Sequence, residues 1–487
     1  MSGTLVAGVD SSTQSCKVEL RRVADGTRVG GGSAPHPVVH PPRSEQDPQS
    51  WWGAFLAAFA AAMRDADAGP GDVAAISVAA QCHGLVVLDA DDRVIRPAKL
   101  WNDTTSTPEL VELRRQIGDV ELVRATGSLP TAAFTLSKVA WLARHEPDAF
   151  ARVARMMLPH DYLTFRLTGR AVTDRSDASG TGYFDSSTSS YLPAHLQLVA
   201  DRDWLPMLPT VLGPDEPAGP VRPDVLAALG LTGDVLVGAG GGDQHAAALG
   251  LGLEPGDVAY SFGTSGVVMC VAESPVHDEQ GFVDGVADMT DGYLPLVSTL
   301  NAARVTDTFT RLLGVTHVEL SRMALDAPEQ PVGPVLAAYL DGERKPNRPG
   351  AEGLLAGLTA QTTREQLARA AYEGVVFGLY AGQRHLERVG VDVSGRVIAV
   401  GGGTRSPAYP QVLADTTRKT VLAADAPEAT ARGAAVQAAA VATGTPVAEV
   451  RTAWAPATRP LAEPGQERYA AYERYSHVAA IDELDRP

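Results

Sequence analysis

The same local pattern occurs once in each half of this 487-residue chain: an apolar strand, a tip of small polar residues and a second apolar strand. Residues 6–20 carry the tip Asp-Ser-Ser-Thr-Gln-Ser, and residues 258–271 carry the tip Ser-Phe-Gly-Thr-Ser-Gly. Glycine, serine and threonine are ordinary turn residues, so either segment alone predicts only a β-hairpin. Two matched hairpins predict a duplicated architecture, because repeated sequence patterns indicate repeated structural units.

Helices and strands alternate on both sides of the middle of the chain. Residues 51–65 have apolar side chains at three- and four-residue spacing, which predicts a helix, and residues 74–80 are typical of a buried strand. The second half repeats the plan, and the predicted elements there are a long helix at 367–388, a strand at 396–400 and an alanine-rich helix at 429–443. Residues 148–157 are also predicted to be helical.

This alternation is typical of α/β domains, and the length of the chain allows more than one. We expect two α/β domains of similar size, residues 1–233 and 234–487, because a Pro/Gly-rich stretch precedes the turn at Thr232-Gly233-Asp234. Ligands of open α/β sheets bind at the carboxyl ends of the strands. The sequence therefore predicts a ligand cleft between the two domains.

The composition excludes several classes of protein. The net charge of −17 and the lack of clustered Lys and Arg predict no nucleic-acid partner, although backbone N–H groups can still hold small phosphates. Three cysteines without close spacing argue against disulfides and thiolate zinc sites, which favours a reducing cytoplasm. The apolar runs fall short of the ~18 residues that span a bilayer, and no signal peptide is evident, so we expect no membrane partner.

Glycine- and hydroxyl-rich loops after strands are the candidate chemical sites. The sequence has no Walker A, GxGxxG, HRD, HExxH or GxSxG motif. Instead, the loops contain Asp10, Asp243, Gly263 and Gly401. Glycines let the backbone approach phosphate oxygens, hydroxyls add donors, and carboxylates suit magnesium. Such loops can hold a nucleotide without a lysine-based motif.

Each of these residues also has an ordinary structural interpretation. Asp243 after three glycines is suited to cap a helix, and Asp10 to cap a turn. His83 would by default be a hydrogen-bonded core histidine, and Cys82 a small core residue. The segment Trp101-Asn102-Asp103 fits an Asx turn at a strand end. Turn chemistry alone explains the set poorly, however, because the loops recur in two matched halves.

A series of short motifs runs along nearly the whole chain. The motifs are GVDSSTQS (8–15), AQCHGL (80–85), LWND (100–103), HDYLTFRLTG (160–169), SDASGTGYFD (176–185), GGGDQ (240–244), SFGTSG (261–266), DGER (341–344) and GGGTRS (401–406). Their order resembles that of the FGGY family of carbohydrate kinases. The resemblance implies two ribonuclease H-like domains of the type found in actin and the heat-shock ATPases. It also implies a central cleft that closes on binding, with sugar held mainly by the first domain and ATP by the second.

The resemblance implies roles for individual residues as well. Asp243 would be the catalytic base, and Asp10 and Asp243 would hold Mg²⁺. The residues implied to position phosphate are Asp10, Thr13, Gly263 and Thr264. The residues implied to line the sugar pocket are Cys82, His83, Trp101, Asp103, Asp243 and Gln244. The residues implied to bind ATP are Gly263, Thr264, Gly401, Gly402, Gly403 and Ser406.

Within the family, the HG pair at 83–84, LWND and LPHDYLTFRLTG are most similar to the members that phosphorylate D-xylulose at O5 in xylose catabolism. Another pentulose, a pentitol or glycerol remains an alternative substrate, and a catalytically weak sugar sensor of the same fold remains an alternative of a different class. Two positions depart from the family pattern, since Ser12 replaces a common glycine and Cys82 a common methionine. We expect a cytoplasmic homodimer.

Overall fold

The computed structural model describes residues 4–328 and 333–481. The outer limits of the two predicted domains, residues 1 and 487, lie outside the described residues. The described chain forms two large β-sheets, one in each half, with helices packed on them. In these residues, we find no helix whose length and apolar character would let it cross a membrane.

The first sheet contains both strands of the first predicted hairpin. Its strands lie in the spatial order Gly219–Pro220, Leu236–Val237, Val73–Ala80, Leu5–Ser11, Ser15–Arg22 and Arg28–Pro35. Strand Leu5–Ser11 pairs antiparallel with Ser15–Arg22 and parallel with Val73–Ala80. The short strand Gly241–Gly242 also pairs with the end of Val73–Ala80. The buried faces are rich in valine and alanine, as expected for strands covered on both sides.

The second sheet repeats this arrangement. Its strands lie in the order Leu296–Thr299, Gly266–Cys270, Val258–Phe262, Val397–Val400, Val421–Ala424 and Thr458–Ala462. Strand Val258–Phe262 pairs antiparallel with Gly266–Cys270 and parallel with Val397–Val400. Each half thus has three antiparallel strands followed by a parallel pair and an antiparallel edge strand. The predicted duplication is confirmed, with the strand order of a ribonuclease H-like domain in each half.

Helices cover the faces of both sheets. The helices of the first half are Pro48–Asp65, Thr107–Ile117, Asp119–Thr126, Thr135–His145, Pro147–Ala151, Pro159–Thr168, Arg175–Ala178, Pro193–Gln197 and Pro223–Leu229. Those of the second half are Asp243–Gly250, Ala303–Leu313, His317–Asp326, Arg364–Arg388, Ala408–Thr417, Ala429–Thr443, Val447–Ala453 and Tyr469–Ala479. The part of the chain that the structure describes also contains two single 3₁₀ turns, Leu205–Met207 and Gly402–Arg405.

In residues 4–328 and 333–481, five two-stranded ribbons lie outside the main sheets. The paired strands are Glu45–Gln46 with Ala98–Lys99, Val86–Leu88 with Arg155–Met157, Val172–Thr173 with Thr210–Val211, Phe184–Asp185 with Ser190–Tyr191, and Val335–Ala337 with Leu354–Ala356. The helix predicted at 148–157 is therefore wrong beyond Ala151. Residues Arg155–Met157 form a strand because Met156 and Met157 pack into cores beside their partner strand, which overrides local propensity.

One helix of the second half packs on the sheet of the first half. We call Ala429–Thr443 the crossing helix, because it contacts strands Leu5–Ser11 and Val73–Ala80 and also helix Asp243–Gly250. The backbones approach closely there: a Cβ on Gly433 would lie 1.8 Å from Ala246 O, and one on Gly8 would lie 1.9 Å from Ala431 O. Small residues at the crossing thus bring the ends of strands from both halves together.

The middle of the chain belongs to the first sheet up to Gly242, because strands Leu236–Val237 and Gly241–Gly242 both pair with Val73–Ala80. The second sheet begins at Val258. Between these strands runs helix Asp243–Gly250, which packs against the crossing helix. The domain division between residues 233 and 234 stays a prediction. The strands after it, Leu236–Val237 and Gly241–Gly242, still belong to the first sheet.

Candidate active site

Asp10 lies at the carboxyl end of the central strand of the first sheet. It is 6% exposed and stands opposite Lys17 in the antiparallel register of the first hairpin. Burial, together with the negative charge of Asp243, raises the pKa of Asp10 to about 7. The strand thus delivers a poorly solvated carboxylate to the edge where both sheets end.

Asp243 occupies the first position of helix Asp243–Gly250, directly after Gly242. Its Oδ1 accepts hydrogen bonds from Gln244 N at 2.8 Å and from Cys82 Sγ at 3.3 Å. Gly242 itself is the N-cap residue, so the interpretation of Asp243 as a helix cap is wrong. Burial raises the pKa of Asp243 to about 6, while the Cys82 hydrogen bond opposes that shift. Asp243 is therefore a carboxylate tuned towards neutral pH, as a general base requires.

The glycine before Asp243 is needed for close packing. A Cβ on Gly242 would lie 2.5 Å from His245 Nδ1 and 2.6 Å from Cys82 Sγ. Any larger residue would push the Cys82 loop away from Asp243. The three glycines of the sequence motif thus let two strand ends of the first sheet come together.

His83 follows Cys82 in the loop after strand Val73–Ala80 and has a positive φ of 63°. Its ring stacks on Phe134, with centroids 5.2 Å apart, and a Cβ on Gly180 would lie 1.8 Å from the other side of the ring. Asp177 is fully buried and its Oδ1 accepts a hydrogen bond from His83 N at 3.0 Å. The imidazole is therefore held rigidly, with 18% of its side chain exposed.

Thr13 lies in the tip of the first hairpin, and its side chain forms hydrogen bonds with Gln81 and Trp101. Its hydroxyl donates to Gln81 Oε1 at 3.2 Å and accepts from Trp101 Nε1 at 2.9 Å. The Thr13 hydroxyl is thus used in fixing the half-buried Trp101 indole, rather than being free for phosphate. Its predicted role in positioning phosphate stays a prediction.

Asp103 is fully buried under the same loop. Its carboxylate accepts hydrogen bonds from Ser44 N, from Thr105 N and Oγ1, and from Lys99 Nζ. These donors hold the pKa of Asp103 below its usual value against the opposing effect of burial. The structure therefore gives Asp103 the contacts of a supporting residue for the segment that carries Trp101, and its predicted contact with sugar stays a prediction.

A cavity of about 700 Å³ extends from Asp10 to residues 401–406 of the second half, which we call the glycine loop. Lys17, the exposed Gln244, Ser261 and Gly401 are among the residues that line it. Its walls come from both halves of the chain. The predicted cleft between strand ends is confirmed as a space that Asp10 and the second sheet share.

The glycine loop separates this cavity from a second one of about 750 Å³. Gly402 and Arg405 line both cavities, whereas Gly403 and Ser406 line only the second. The Ser406 hydroxyl shares hydrogen bonds with two other hydroxyls, Ser321 Oγ at 2.9 Å and Tyr372 OH at 3.0 Å, and it can donate to only one of them at a time. Tyr372 and Tyr409 also line the second cavity. An extended ligand can therefore cross the loop, with one end near Asp10 and an apolar end against these two tyrosines.

The tip of the second hairpin faces the glycine loop. Gly401 has a φ of 91°, and a Cβ there would lie 2.7 Å from Phe262 O, so only glycine fits this turn without strain. Gly263 O accepts a hydrogen bond from Ala303 N at 3.0 Å, and Thr264 is exposed. The structure brings Gly263 and Gly401 together through Phe262, although neither Gly263 nor Thr264 lines the two cavities described above.

The carboxylates fit a divalent cation. Asp10 Oδ1 is buried and accepts no hydrogen bond from the part of the chain that the structure describes. Its raised pKa reports the same deficit of positive partners, because the charge of Asp243 adds to the effect of burial. Hard cations such as Mg²⁺ prefer carboxylate oxygens and water, so Asp10 and Asp243 suit this ion.

Sequence reasoning missed three residues of the site. Lys17 Nζ forms an ion pair with Glu428 Oε2 at 2.6 Å, and this pair joins the two halves beside the Asp10 cavity. The register of the first hairpin contained that signal, since Lys17 is the cross-strand neighbour of Asp10. Asp177, which holds His83, lies 94 positions further along the chain and carried no signal beyond the SDASG motif.

Comparisons with known proteins agree with this geometry. Residues 5–250 match the model of the N-terminal domain of the FGGY family of carbohydrate kinases, and residues 258–442 match that of the C-terminal domain. The chain is 40% identical over 480 residues to the xylulose kinase of Streptomyces rubiginosus, covering 98% of this chain and 96% of the relative.

Solved structures show the same fold. The xylulose kinase of Bifidobacterium adolescentis has a TM-score of 0.86 at 37% identity, covering 98% of this chain and 99% of that one. Plasmodium falciparum glycerol kinase with ADP has a TM-score of 0.86 at 18% identity, covering 99% and 98%, and shows the fold alone. With two ribonuclease H-like sheets, a carboxylate-bearing cleft and both family models matched in order, this chain is a carbohydrate kinase that belongs to the FGGY family.

Proposed function

We propose that the enzyme transfers the γ-phosphate of ATP to the 5-hydroxyl of D-xylulose, giving D-xylulose 5-phosphate and ADP, a step of xylose catabolism. The observation that carries the proposal is the position of Asp243. Its carboxylate contacts the Cys82–His83 loop on one side, and the next residue, Gln244, lines the cavity that ends at the glycine loop. The relatives named xylulose kinase, similar over the full chain, support this choice of sugar.

In the proposed reaction, Asp243 accepts the proton of the 5-hydroxyl as that oxygen attacks the γ-phosphorus. The bond between the γ-phosphorus and the β,γ-bridging oxygen breaks, and ADP leaves with the electron pair. Phosphoryl transfer depends mainly on positioning and charge stabilisation, and a base typically contributes ~10²–10⁴-fold. The Cys82 thiol and the backbone N–H of Gln244 orient the Asp243 carboxylate for this step.

We assign the nucleotide to the two cavities that meet at Gly402. The adenosine lies against Gly403, Ser406 and the tyrosines of the second cavity, and the phosphates extend past Gly401 towards Asp10. Mg²⁺, held by Asp10 and Asp243 directly or through water, would neutralise the phosphate charge. Gly263 and Thr264 approach the phosphates in this proposal only after the cleft closes.

We assign the sugar to the pocket formed by Cys82, His83, Trp101 and Gln244. His83 is held by Phe134 and Asp177, so its ring offers a fixed hydrogen-bonding edge to a hydroxyl. Trp101 supplies an aromatic wall whose nitrogen is already bonded to Thr13. Asp103 supports this wall from below. A polyol site needs such fixed partners, because an unpaired buried group costs affinity.

The decisive experiment is a substrate panel measured by ADP release from purified protein. We expect D-xylulose to have the highest kcat/KM among D-xylulose, D-ribulose, pentitols and glycerol. An inverted or missing hydroxyl leaves a buried partner unpaired, and such a mismatch can lower kcat/KM by up to ~10⁴-fold. A better rate with another polyol would replace the proposed substrate. Saturable sugar binding without sugar-dependent ADP release would instead favour a sugar sensor.

A substitution at Asp243 tests the proposed base. We expect Asp243→Asn to lower kcat by ~10²–10⁴-fold while D-xylulose still binds, because the amide keeps the shape but accepts no proton. Isothermal titration with the sugar and ADP-release kinetics measure the two effects separately. Turnover near the wild-type rate would refute the role of Asp243.

We also propose that the chain works as a cytoplasmic homodimer with no nucleic-acid or membrane partner. The net charge of −17 supports the absence of a polyanionic partner, since it repels nucleic acid at long range. Light scattering on the purified full chain should give twice the mass of one chain. A monomer mass at micromolar concentration would overturn the dimer.

A further inference from the structure

Three different metal-binding side chains converge in the sugar pocket. The Cys82 thiol, the His83 imidazole and the Asp177 carboxylate each place one ligand atom so that all lie within 4.8 Å of one another. Cys82 and Asp177 are buried, and His83 is partly open to the cleft. None of this arrangement is needed to explain the Mg²⁺ ligands, which lie at Asp10 and Asp243.

The cluster contains buried polar atoms that form no hydrogen bond with the described residues. His83 Nδ1 lies 3.1 Å from Asp177 Oδ1, yet neither this contact nor any other with the residues that the structure describes satisfies Nδ1 by a hydrogen bond. Asp177 Oδ2 is buried without a hydrogen bond from the described chain, and its nearest charged neighbour, His160 Nε2, lies 3.7 Å away. A buried polar atom without a hydrogen bond is costly, and this applies most directly to His83 Nδ1. A cation between these atoms would satisfy them.

We propose that Cys82, His83 and Asp177 bind a thiophilic divalent cation, with Zn²⁺ as the type case, inside the sugar pocket. Sulfur, imidazole nitrogen and carboxylate oxygen are the three protein ligand types of zinc. The thiol proton is released to solvent as the metal–sulfur bond forms, and one thiolate with one carboxylate neutralises the dication. Mg²⁺ does not compete for this site, because it prefers oxygen ligands.

His245 stands beside the same sulfur and can complete the coordination. Its Nδ1 lies 4.0 Å from Cys82 Sγ, and its Nε2 is buried without a hydrogen-bond partner among residues 4–328 and 333–481. The cluster of mutually close ligand atoms is Cys82, His83 and Asp177, and the neighbouring His245 imidazole would be the fourth ligand after a small shift towards the sulfur.

A bound cation would inhibit the kinase, and this consequence rests on the proposed function. The metal would occupy the space beside His83 that we assign to the sugar. It would also remove the thiol proton that Cys82 donates to Asp243 and place a positive charge beside that carboxylate. Both effects weaken the reaction, so we expect inhibition that is competitive with the sugar and insensitive to added Mg²⁺.

The test uses Co²⁺ as a spectroscopic probe on the purified full chain, in the absence of sugar and nucleotide. We expect one Co²⁺ per chain and a near-ultraviolet charge-transfer band, which requires a thiolate ligand. Zn²⁺ should abolish the band, because zinc binds such sites more tightly than cobalt. Cys82→Ser should lack the band, and Cys270→Ser, which changes a buried thiol in the second sheet, should keep it.

The outcomes separate this proposal from the proposed function. A wild-type chain without the band, or a band that survives in folded Cys82→Ser, overturns the metal site. Circular dichroism checks folding, and Asp177→Asn, which keeps the size of the side chain, should weaken Co²⁺ binding at least tenfold. If the band forms as expected but D-xylulose is not phosphorylated, only the proposed substrate fails. If D-xylulose is phosphorylated and Zn²⁺ inhibits Cys82→Ser as strongly as wild type, the inhibitory consequence fails.

Discussion

The Cys82 thiol lowers the pKa of Asp243. Its Sγ lies 3.3 Å from Asp243 Oδ1 and donates a hydrogen bond to the charged form of the carboxylate, which lowers the pKa of Asp243 against the larger raising effect of burial. Asp243 must be deprotonated to act as the proposed base, so the rate should rise with pH through the pKa of Asp243, about 6. In the proposed mechanism, Cys82 thus helps to set the pH at which the enzyme begins to work.

Removing the thiol should move the acidic limb of the pH profile. In Cys82→Ala the charged form of Asp243 loses a donor, so its pKa rises and the limb of kcat/KM moves to higher pH. On the acidic side, activity falls about tenfold for each pH unit by which the limb is displaced. Cys82→Ser is the matched variant, because its hydroxyl still donates, and its limb should lie below that of Cys82→Ala. A limb for Cys82→Ala at or below the wild-type position would contradict this account.

Among the helices, the crossing helix depends on a glycine for its close contact with helix Asp243–Gly250. Gly433 lies in the middle of this helix, where glycine would normally cost ~1 kcal/mol relative to alanine. Glycine is nevertheless needed at this position, because a Cβ would lie only 1.8 Å from Ala246 O in helix Asp243–Gly250. The tight crossing in turn positions Asp243 at the start of that helix.

Alanine substitutions in two helices should therefore have opposite effects on stability. Gly433→Ala should lower the free energy of unfolding by ~1–3 kcal/mol, the usual cost of overpacking. Gly53→Ala should raise it by up to ~1 kcal/mol, because Gly53 lies in helix Pro48–Asp65 and a Cβ there meets nothing within 4 Å in the described chain. Urea unfolding measures both variants. Equal effects of the same sign would show that the crossing is looser than described.

Patterns within one element were readable from the sequence, whereas contacts between distant segments were not. The helix at 429–443 was predicted at its observed bounds, and the two hairpins followed from short apolar runs and polar tips. The helix predicted at residues 155–157 is wrong because their strand partner, Val86–Leu88, lies 67 to 71 positions earlier in the chain and decides their structure. The hydrogen bond between Thr13 and Trp101 was hidden for a similar reason, since it depends on a loop in another part of the sequence, and the role of Thr13 in positioning phosphate stays a prediction.

Over the whole molecule, the two halves are joined by polar contacts at the cleft as well as by the crossing helix. Gln437 of that helix is fully buried and binds Ser77 Oγ and Gly240 N through its Oε1, at 2.6 and 2.9 Å. It thereby ties the first sheet to the glycines before Asp243. The pair Lys17–Glu428 forms a second link, at the mouth of the Asp10 cavity.

The Lys17–Glu428 pair should affect ATP binding more than stability. Its side chains are 36% and 39% exposed, so solvent screening limits its contribution to folding to ~0–1 kcal/mol. In the proposed binding mode, the phosphates of ATP bring negative charge into the cavity that both residues line. Lys17→Gln removes attraction and should raise the KM for ATP severalfold, whereas Glu428→Gln removes repulsion and should lower it.

The opposite signs are the critical result, because loss of a merely structural contact would change the KM in the same direction in both variants. Glu112→Gln is the matched control: it neutralises a carboxylate that pairs with Arg115 on an exposed helix of the first half, and it should leave the KM for ATP unchanged. Kinetics at low and high salt give a further check. The two opposite changes in KM should shrink together as salt rises, since the Debye length falls from ~10 Å at 0.1 M to ~3 Å at 1 M.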